Sequence, residues 1–211
     1  MSIKAIFFDM DGVLVDSRKT WHLVLNKALE ELGYPVVSWE KFDKDFGQSV
    51  ELDIKLYMND KESFETVCKL YDKYYPQFVH ELNPMDGIKE LLGWLKEHGI
   101  KTACITNSPK SAAFQALNKC EIIDKLDLVV TSSEVQHGKP APDMLLKAFE
   151  ILRLKPEEVL FIGDSPFDFH AAKAAKVHFM AFGRELEGAE KVFNMFSDIK
   201  TWLSNTYNLK E

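Results

Sequence analysis

Asp9 and Asp11 stand two residues apart in Asp9-Met10-Asp11-Gly12, directly after the apolar run at residues 3–8. On an extended segment, side chains two apart leave the same face, so both carboxylates address one region while Met10 points the other way. Two carboxylates about 4 Å apart at an effective dielectric near 20 repel by roughly 4 kcal/mol, which a divalent cation or a proton held by one member must relieve. The plainer reading of the same tetrapeptide is a turn after a strand.

Three further clusters carry polar chemistry. Thr106-Asn107-Ser108-Pro109 reads structurally as a helix start, with Ser108 as N-cap and Pro109 at the first helical position. Its functional reading uses the same geometry, because free amides at a helix N-terminus beside a hydroxyl bind a phosphoryl group. Lys139 lies in the loop Gln136-His137-Gly138-Lys139-Pro140-Ala141-Pro142-Asp143, where a lysine is ordinarily solvated. In Gly163-Asp164-Ser165-Pro166-Phe167-Asp168, Ser165 and Asp168 fit a capping box with aspartate in place of the usual Glu or Gln. Asp168 is then either a helix-start acid or a carboxylate that faces a metal's waters or Lys139. Asp164 precedes the cap and is not explained by capping.

The elements that must bring these clusters together follow from periodicity. From residue 84 onward, apolar runs alternate with stretches of helical period. Strands are predicted at residues 100–106, 127–131, 159–163 and 177–182, and helices over the face Ile88, Leu91, Leu92, Leu95 and at residues 109–119, 143–153 and 166–175. With the strand at residues 3–8, this βαβ rhythm implies a Rossmann-like α/β core, a parallel sheet flanked by helices on both faces. Ligands of such sheets bind beyond the carboxyl ends of the strands. Asp9, Asp11, Thr106, Asn107, Lys139 and Asp164 all fall at those ends and share one rim, where Lys139 supplies countercharge. A hard oxygen donor set of this kind, with room for water, suits Mg²⁺ better than zinc.

Residues 17–83 break the rhythm. Helical faces appear at Trp21, Val24, Leu25, Ala28, Leu29 and Leu32, ended by Gly33, and then at residues 39–46, 50–57 and 62–78, with no convincing strand. The chain thus divides into a core of residues 1–16 and 84–211 and an inserted all-helical cap domain of residues 17–83. Asn83-Pro84 is a plausible hinge, since the residue before proline is pushed out of helical geometry.

Composition narrows the function. The 211 residues carry 26 basic and 33 acidic side chains, a net charge of −7, and no run of five basic residues, which disfavours nucleic acid. No apolar stretch approaches a membrane span, and Asp9 interrupts what a signal peptide would need, so a cytoplasmic location without membrane contact is expected. Cys68, Cys104 and Cys120 lack metal or disulfide spacing and read as idle thiols. The cap is itself net acidic and announces no substrate. Trp21, Trp39, Phe42 and Phe46 fit the cap's own core better than a pocket lining.

Taken together, Asp9-Met10-Asp11-Gly12-Val13-Leu14-Val15-Asp16-Ser17, Thr106-Asn107-Ser108, Gly138-Lys139-Pro140-Ala141-Pro142-Asp143 and Gly163-Asp164-Ser165-Pro166-Phe167-Asp168 resemble the haloacid dehalogenase superfamily. The likeness is to its branch of phosphoglycolate phosphatases and β-phosphoglucomutases. It implies an Asp9 nucleophile that forms an aspartyl-phosphate, and Asp11 as the acid that protonates the leaving alkoxide and then deprotonates water. It further implies phosphoryl binding by Thr106 and the Asn107 amide, charge neutralisation by Lys139, and Mg²⁺ on Asp9, the Asp11 carbonyl and Asp164, with Asp168 and Ser108 in support. The implied activity is hydrolysis of a small phosphorylated metabolite, by a monomer or homodimer. A sugar-phosphate mutase is the alternative, and a catalytically silent binding protein the remote third.

Three positions depart from the resembled pattern. Gln48-Ser49-Val50-Glu51 follows Gly47 where related caps often carry an arginine for a second anionic group. Lys176 replaces a glycine after the alanine-rich helix. His22 lies one residue past the position of the mutases' cap histidine, which Trp21 occupies. One residue turns a helical side chain by about 100°, so His22 is expected to be an ordinary cap residue.

Overall fold

The computed structural model describes residues 3–207; residues 1–2 and 208–211 of the expected core lie outside it. Six parallel strands form the central sheet in the order β5-β4-β1-β6-β7-β8. They are β1 (Ala5–Phe8), β4 (Lys101–Thr106), β5 (Leu128–Thr131), β6 (Val159–Gly163), β7 (His178–Phe182) and β8 (Lys191–Phe193). The two central strands, β1 and β6, carry no polar side chain because both faces are covered, while β4 carries Lys101, Thr102 and Thr106 and β7 opens on His178. Alternation decides which side each residue serves: Ile6 and Phe8 join one apolar layer, Ala5 and Phe7 the other.

Helices α5 (Ile88–Glu97), α6 (Lys110–Lys119) and α9 (Phe196–Tyr207) pack on the first face, and α7 (Asp143–Leu152) and α8 (Pro166–Ala175) on the second. This is the parallel α/β architecture that the periodicity predicts. The helix expected from residue 109 starts at Lys110, with Pro109 as the boundary residue and no side chain capping it. Ser108 therefore does not serve as N-cap; its hydroxyl is drawn into the rim instead.

Residues 17–83 hold α1 (Arg18–Leu32), α2 (Trp39–Asp45), α3 (Val50–Tyr57) and α4 (Phe64–Phe78). Gly33 ends α1 in the left-handed conformation at φ 79°, which a Cβ would disfavour. Val24, Leu25, Ala28 and Leu29 of α1 and Val67, Leu70, Tyr71 and Tyr75 of α4 belong to the same apolar cluster as the first sheet face. The two chain crossings pair with each other. β2 (Val15–Asp16) and β3 (Asn83–Pro84) form a short antiparallel ribbon in which Val15 faces Pro84 and Asp16 faces Asn83. The expected hinge at Asn83-Pro84 thus sits in paired backbone. Lys176 takes the left-handed helix end at φ 58° without a glycine. The three thiols are free. Among the described residues no helix is long and apolar enough to cross a membrane.

Candidate active site

Asp9 follows β1 directly, and its N–H donates to the Ile162 carbonyl at 2.9 Å, so the sheet register fixes its height at the rim. Just beyond, the N–H groups of Val13, Leu14 and Val15 all point at the Met10 carbonyl, which makes the turn that brings Asp11 back over the strand ends. Gly12 occupies this turn at φ 86°, and a Cβ there would lie 2.3 Å from Asp164 Oδ2. Glycine is required on both counts, backbone conformation and close approach.

Lys139 is buried and reaches the rim from the loop after β5. Its Nζ donates to Asp9 Oδ1 at 2.5 Å, to Asp168 Oδ1 at 2.7 Å and to the Ile105 carbonyl at 3.1 Å. Burial opposes its charge, yet Asp168 and Asp9 outweigh that and hold its pKa above the usual lysine value. Asp9 moves the other way. Burial first, then repulsion from Asp168, pushes its carboxyl well above the usual range against the pull of Lys139. Asp168 satisfies both of its sequence readings: its second oxygen accepts from the Ser165 N–H at 3.0 Å and the Ser165 hydroxyl at 2.5 Å, closing the capping box, while its first holds Lys139. Gly163 makes room for it, since a Cβ there would come within 2.5 Å of the Asp168 side chain.

The Asp11 carboxylate accepts four hydrogen bonds. One oxygen takes the Ser17 hydroxyl at 2.5 Å and the Trp21 indole N–H at 2.9 Å; the other takes Ser108 at 2.7 Å and Thr106 at 3.3 Å. Two donors come from the start of the cap and two from the core. Asn107 works through its side chain, whose Oδ1 accepts from the Lys139 N–H at 2.7 Å and whose Nδ2 donates to the Lys139 carbonyl at 3.0 Å. Gly138 lets the two segments touch, because a Cβ there would meet Asn107 Oδ1 at 2.6 Å.

Asp164 lies opposite, and one carboxylate oxygen each of Asp9, Asp164 and Asp168 falls within 4.8 Å of the others. Asp164 Oδ2 accepts from Arg18 at 2.9 Å, while the buried Oδ1 has no hydrogen-bond partner. Burial, then Asp168, raises the Asp164 pKa to about 7 despite Arg18. Asp9 and Asp164, both held above the ordinary carboxyl pKa, together with the orphaned Asp164 Oδ1, make an oxygen donor set that fits a hard divalent ion. Arg18 also pairs with Asp43 at 2.6 Å and covers the Phe46 ring. The motif spacing does not point to Arg18. Its only sequence signal is a basic residue one position after the Asp9–Ser17 motif.

Above the rim lies a cavity of about 60 Å³ lined by Asp9, Asp11, Asn107, Ser108 and Lys139 from the core and by Trp21, Phe42 and Phe46 among others from the cap. Three of the four cap aromatics expected in the cap's core therefore also wall the site, while Trp39 stays 45% exposed and away from it. His22 bonds the Val37 carbonyl at 2.8 Å and packs on Trp39 and Phe42, outside the cavity lining. A cleft of about 700 Å³ adjoins the cavity through Val50, Asn107 and Pro109 and runs between cap and core.

Fold and rim define a parallel α/β protein with an acidic strand-end site under a helical insertion. The chain belongs to the haloacid dehalogenase-like hydrolase family, whose model matches residues 6–182. It is 32% identical over 186 residues to an inferred pyrophosphatase, PpaX, of Caldanaerobacter subterraneus, spanning 86% of this chain and 82% of that protein. It is 32% identical over 173 residues to a phosphoglycolate phosphatase of Aquifex aeolicus, spanning 82% and 81%. A hydrolase from Pseudomonas syringae superposes with a TM-score of 0.83 at 25% identity, covering 96% of this chain and 98% of that one.

Proposed function

We propose that the protein hydrolyses small organic phosphate monoesters with Mg²⁺, through a phosphoryl group carried transiently on Asp9. One observation carries the reading: a buried Asp9 carboxylate, paired at 2.5 Å with Lys139, shares its cavity with an Asp11 held by four donors. With Asp11 in its acid form, an Asp9 oxygen attacks phosphorus and the alkoxide leaves, taking the Asp11 proton. Asp11 then takes a proton from water, which attacks phosphorus and frees Asp9. Splitting one displacement into two lowers each barrier. Thr106 and the Asn107 backbone amide bind phosphoryl oxygens, and Lys139 neutralises charge as it builds. Mg²⁺ held by Asp9, Asp164 and the Asp11 carbonyl, with Asp168 in support, would neutralise the remaining phosphoryl charge. The cap excludes bulk water from the site.

The relatives named phosphoglycolate phosphatase support the phosphatase reading. A mutase would need a cap base, and His22, tied to the Val37 carbonyl, does not supply one. Phosphate release from a panel of monoesters, with Mg²⁺ or with EDTA, tests the proposal. Release that depends on Mg²⁺ and is lost in Asp9→Asn supports it, and Mg²⁺-dependent release that survives Asp9→Asn sinks it.

A further inference from the structure

The cap side of the cavity has a charge character that the phosphatase reading leaves unused. Asp45 at the end of α2 and Asp53 in α3 both line it, alongside Gln48 and the rings of Trp21, Phe42 and Tyr71. Among the described residues, no Lys, Arg or His stands in the cap part of that lining, and Lys139 is the one cation that lines the cavity. That cation is committed to Asp9, Asp168 and the Ile105 carbonyl. The cap wall thus presents two carboxylates and aromatic surface to the cavity.

Both carboxylates are built in place rather than left to solvent. Asp53 Oδ1 accepts from Gln48 at 2.5 Å and its Oδ2 from the Tyr71 hydroxyl at 2.6 Å. Asp45 Oδ2 accepts from the Tyr57 hydroxyl at 2.8 Å, the single hydrogen bond to that carboxylate among the described residues. A carboxylate has about four acceptor sites, so both retain capacity toward the cavity. Tyr71 in turn packs edge-on to Trp21, whose rings sit 5.6 Å apart, so the acid–aromatic wall is one packed unit. Carboxylates beside aromatic faces attract an ammonium group, and the same wall repels a second anion.

We propose that the leaving alcohol carries an ammonium group: the substrate class is a short amino-alcohol phosphate, gripped by Asp45 and Asp53 under the cap while Asp9 and Lys139 take the phosphoryl end. The inference rests on the phosphatase reading and names the class of molecule that reading admits. The volume of about 60 Å³ suits an alcohol of a few heavy atoms. Gln48, in the place where an arginine would greet a second anion, fits the same chemistry by holding Asp53 instead.

Three small probes separate the possibilities: O-phosphoethanolamine, ethyl phosphate and 2-phosphoglycolate, each assayed for phosphate release by the protein with Mg²⁺. The expected order of kcat/KM is ammonium, then neutral, then carboxylate, with about tenfold or more between the first and the last. In Asp45→Asn, which keeps shape and an oxygen for Tyr57, and in Asp53→Asn, which keeps shape and one of its two acceptor oxygens, the ratio of kcat/KM for O-phosphoethanolamine over ethyl phosphate falls toward one. Equal or better turnover of 2-phosphoglycolate overturns the inference and leaves the phosphatase intact. So does a ratio that neither variant moves. Release from none of the three, with Mg²⁺-dependent release from other monoesters of the panel, overturns the inference alone; release from no monoester at all overturns the phosphatase reading itself.

Discussion

Asn107 holds Lys139 by its backbone, not by its ammonium: the side-chain amide of Asn107 accepts from the Lys139 N–H at 2.7 Å and donates to the Lys139 carbonyl at 3.0 Å. The clamp fixes Lys139 from behind while Nζ stays on Asp9. Asn107→Ala leaves a buried N–H and carbonyl unpaired, so a loss of about 1–3 kcal/mol in stability is expected. A fall in kcat of about tenfold or more should accompany it, because a small misplacement of a charge-neutralising group is costly. Urea unfolding and initial rates check the two effects separately.

Trp21 and His22 are neighbours on α1 with opposite expectations. Trp21→Phe keeps a ring against Tyr71 and Tyr75 but removes the N–H that Asp11 accepts at 2.9 Å. A kcat loss of about tenfold with stability kept within about 1.5 kcal/mol is expected. His22→Ala removes contacts to Val37, Trp39 and Phe42 instead, so it should lower the melting temperature and leave kcat within about twofold.

Gly12→Ala tests the close approach at the turn. A Cβ would sit 2.3 Å from Asp164 Oδ2 at φ 86°, so either the turn or Asp164 must move. Loss of the thermal stabilisation that Mg²⁺ gives the wild type, with the fold retained by circular dichroism, is the expected outcome.

Asp164 makes stability depend on pH in a direction that can be worked out. Its pKa rises from 3.8 to about 7 through burial and then Asp168, so the folded metal-free protein keeps this proton longer than the unfolded chain. The stability it contributes is complete below about pH 4, declines by up to about 1.4 kcal/mol per unit as pH rises, and is gone above about pH 7. Asp164→Asn removes that slope, so its stability relative to wild type should grow across this window and then level off. Mg²⁺ binds the ionised carboxylate, so its stabilisation of the wild type should increase over the same window and be absent from the variant. Urea melts at several pH values, with Mg²⁺ or EDTA, check both.

The sheet was legible because its central strands β1 and β6 are continuous apolar runs and its helices carry amphipathic faces, and the rim followed because strand ends place Asp9, Thr106 and Asp164 side by side. Other features depend on contacts that no local pattern records. Ser108 looks like an N-cap until Asp11 arrives at 2.7 Å from a distant strand end and takes its hydroxyl. The Asn107 clamp on Lys139 and the reach of Arg18 to Asp164 join segments far apart in sequence. β8 is three residues at the sheet edge, too short to show a period, and the β2–β3 ribbon exists only because the two cap crossings meet. The cap aromatics fit both of their roles at once, since Phe42 and Phe46 are buried in the cap and also wall the cavity.

The central claim is that Asp9 carries the phosphoryl group during turnover. Acid quenching of a single turnover with excess enzyme, followed by proteolysis and mass spectrometry, tests it directly. A phosphoryl adduct on the peptide that contains Asp9, appearing before free phosphate and decaying as phosphate is released, is the result this account requires. Phosphate release with no adduct on that peptide at any time, or with the adduct on another residue, would contradict it.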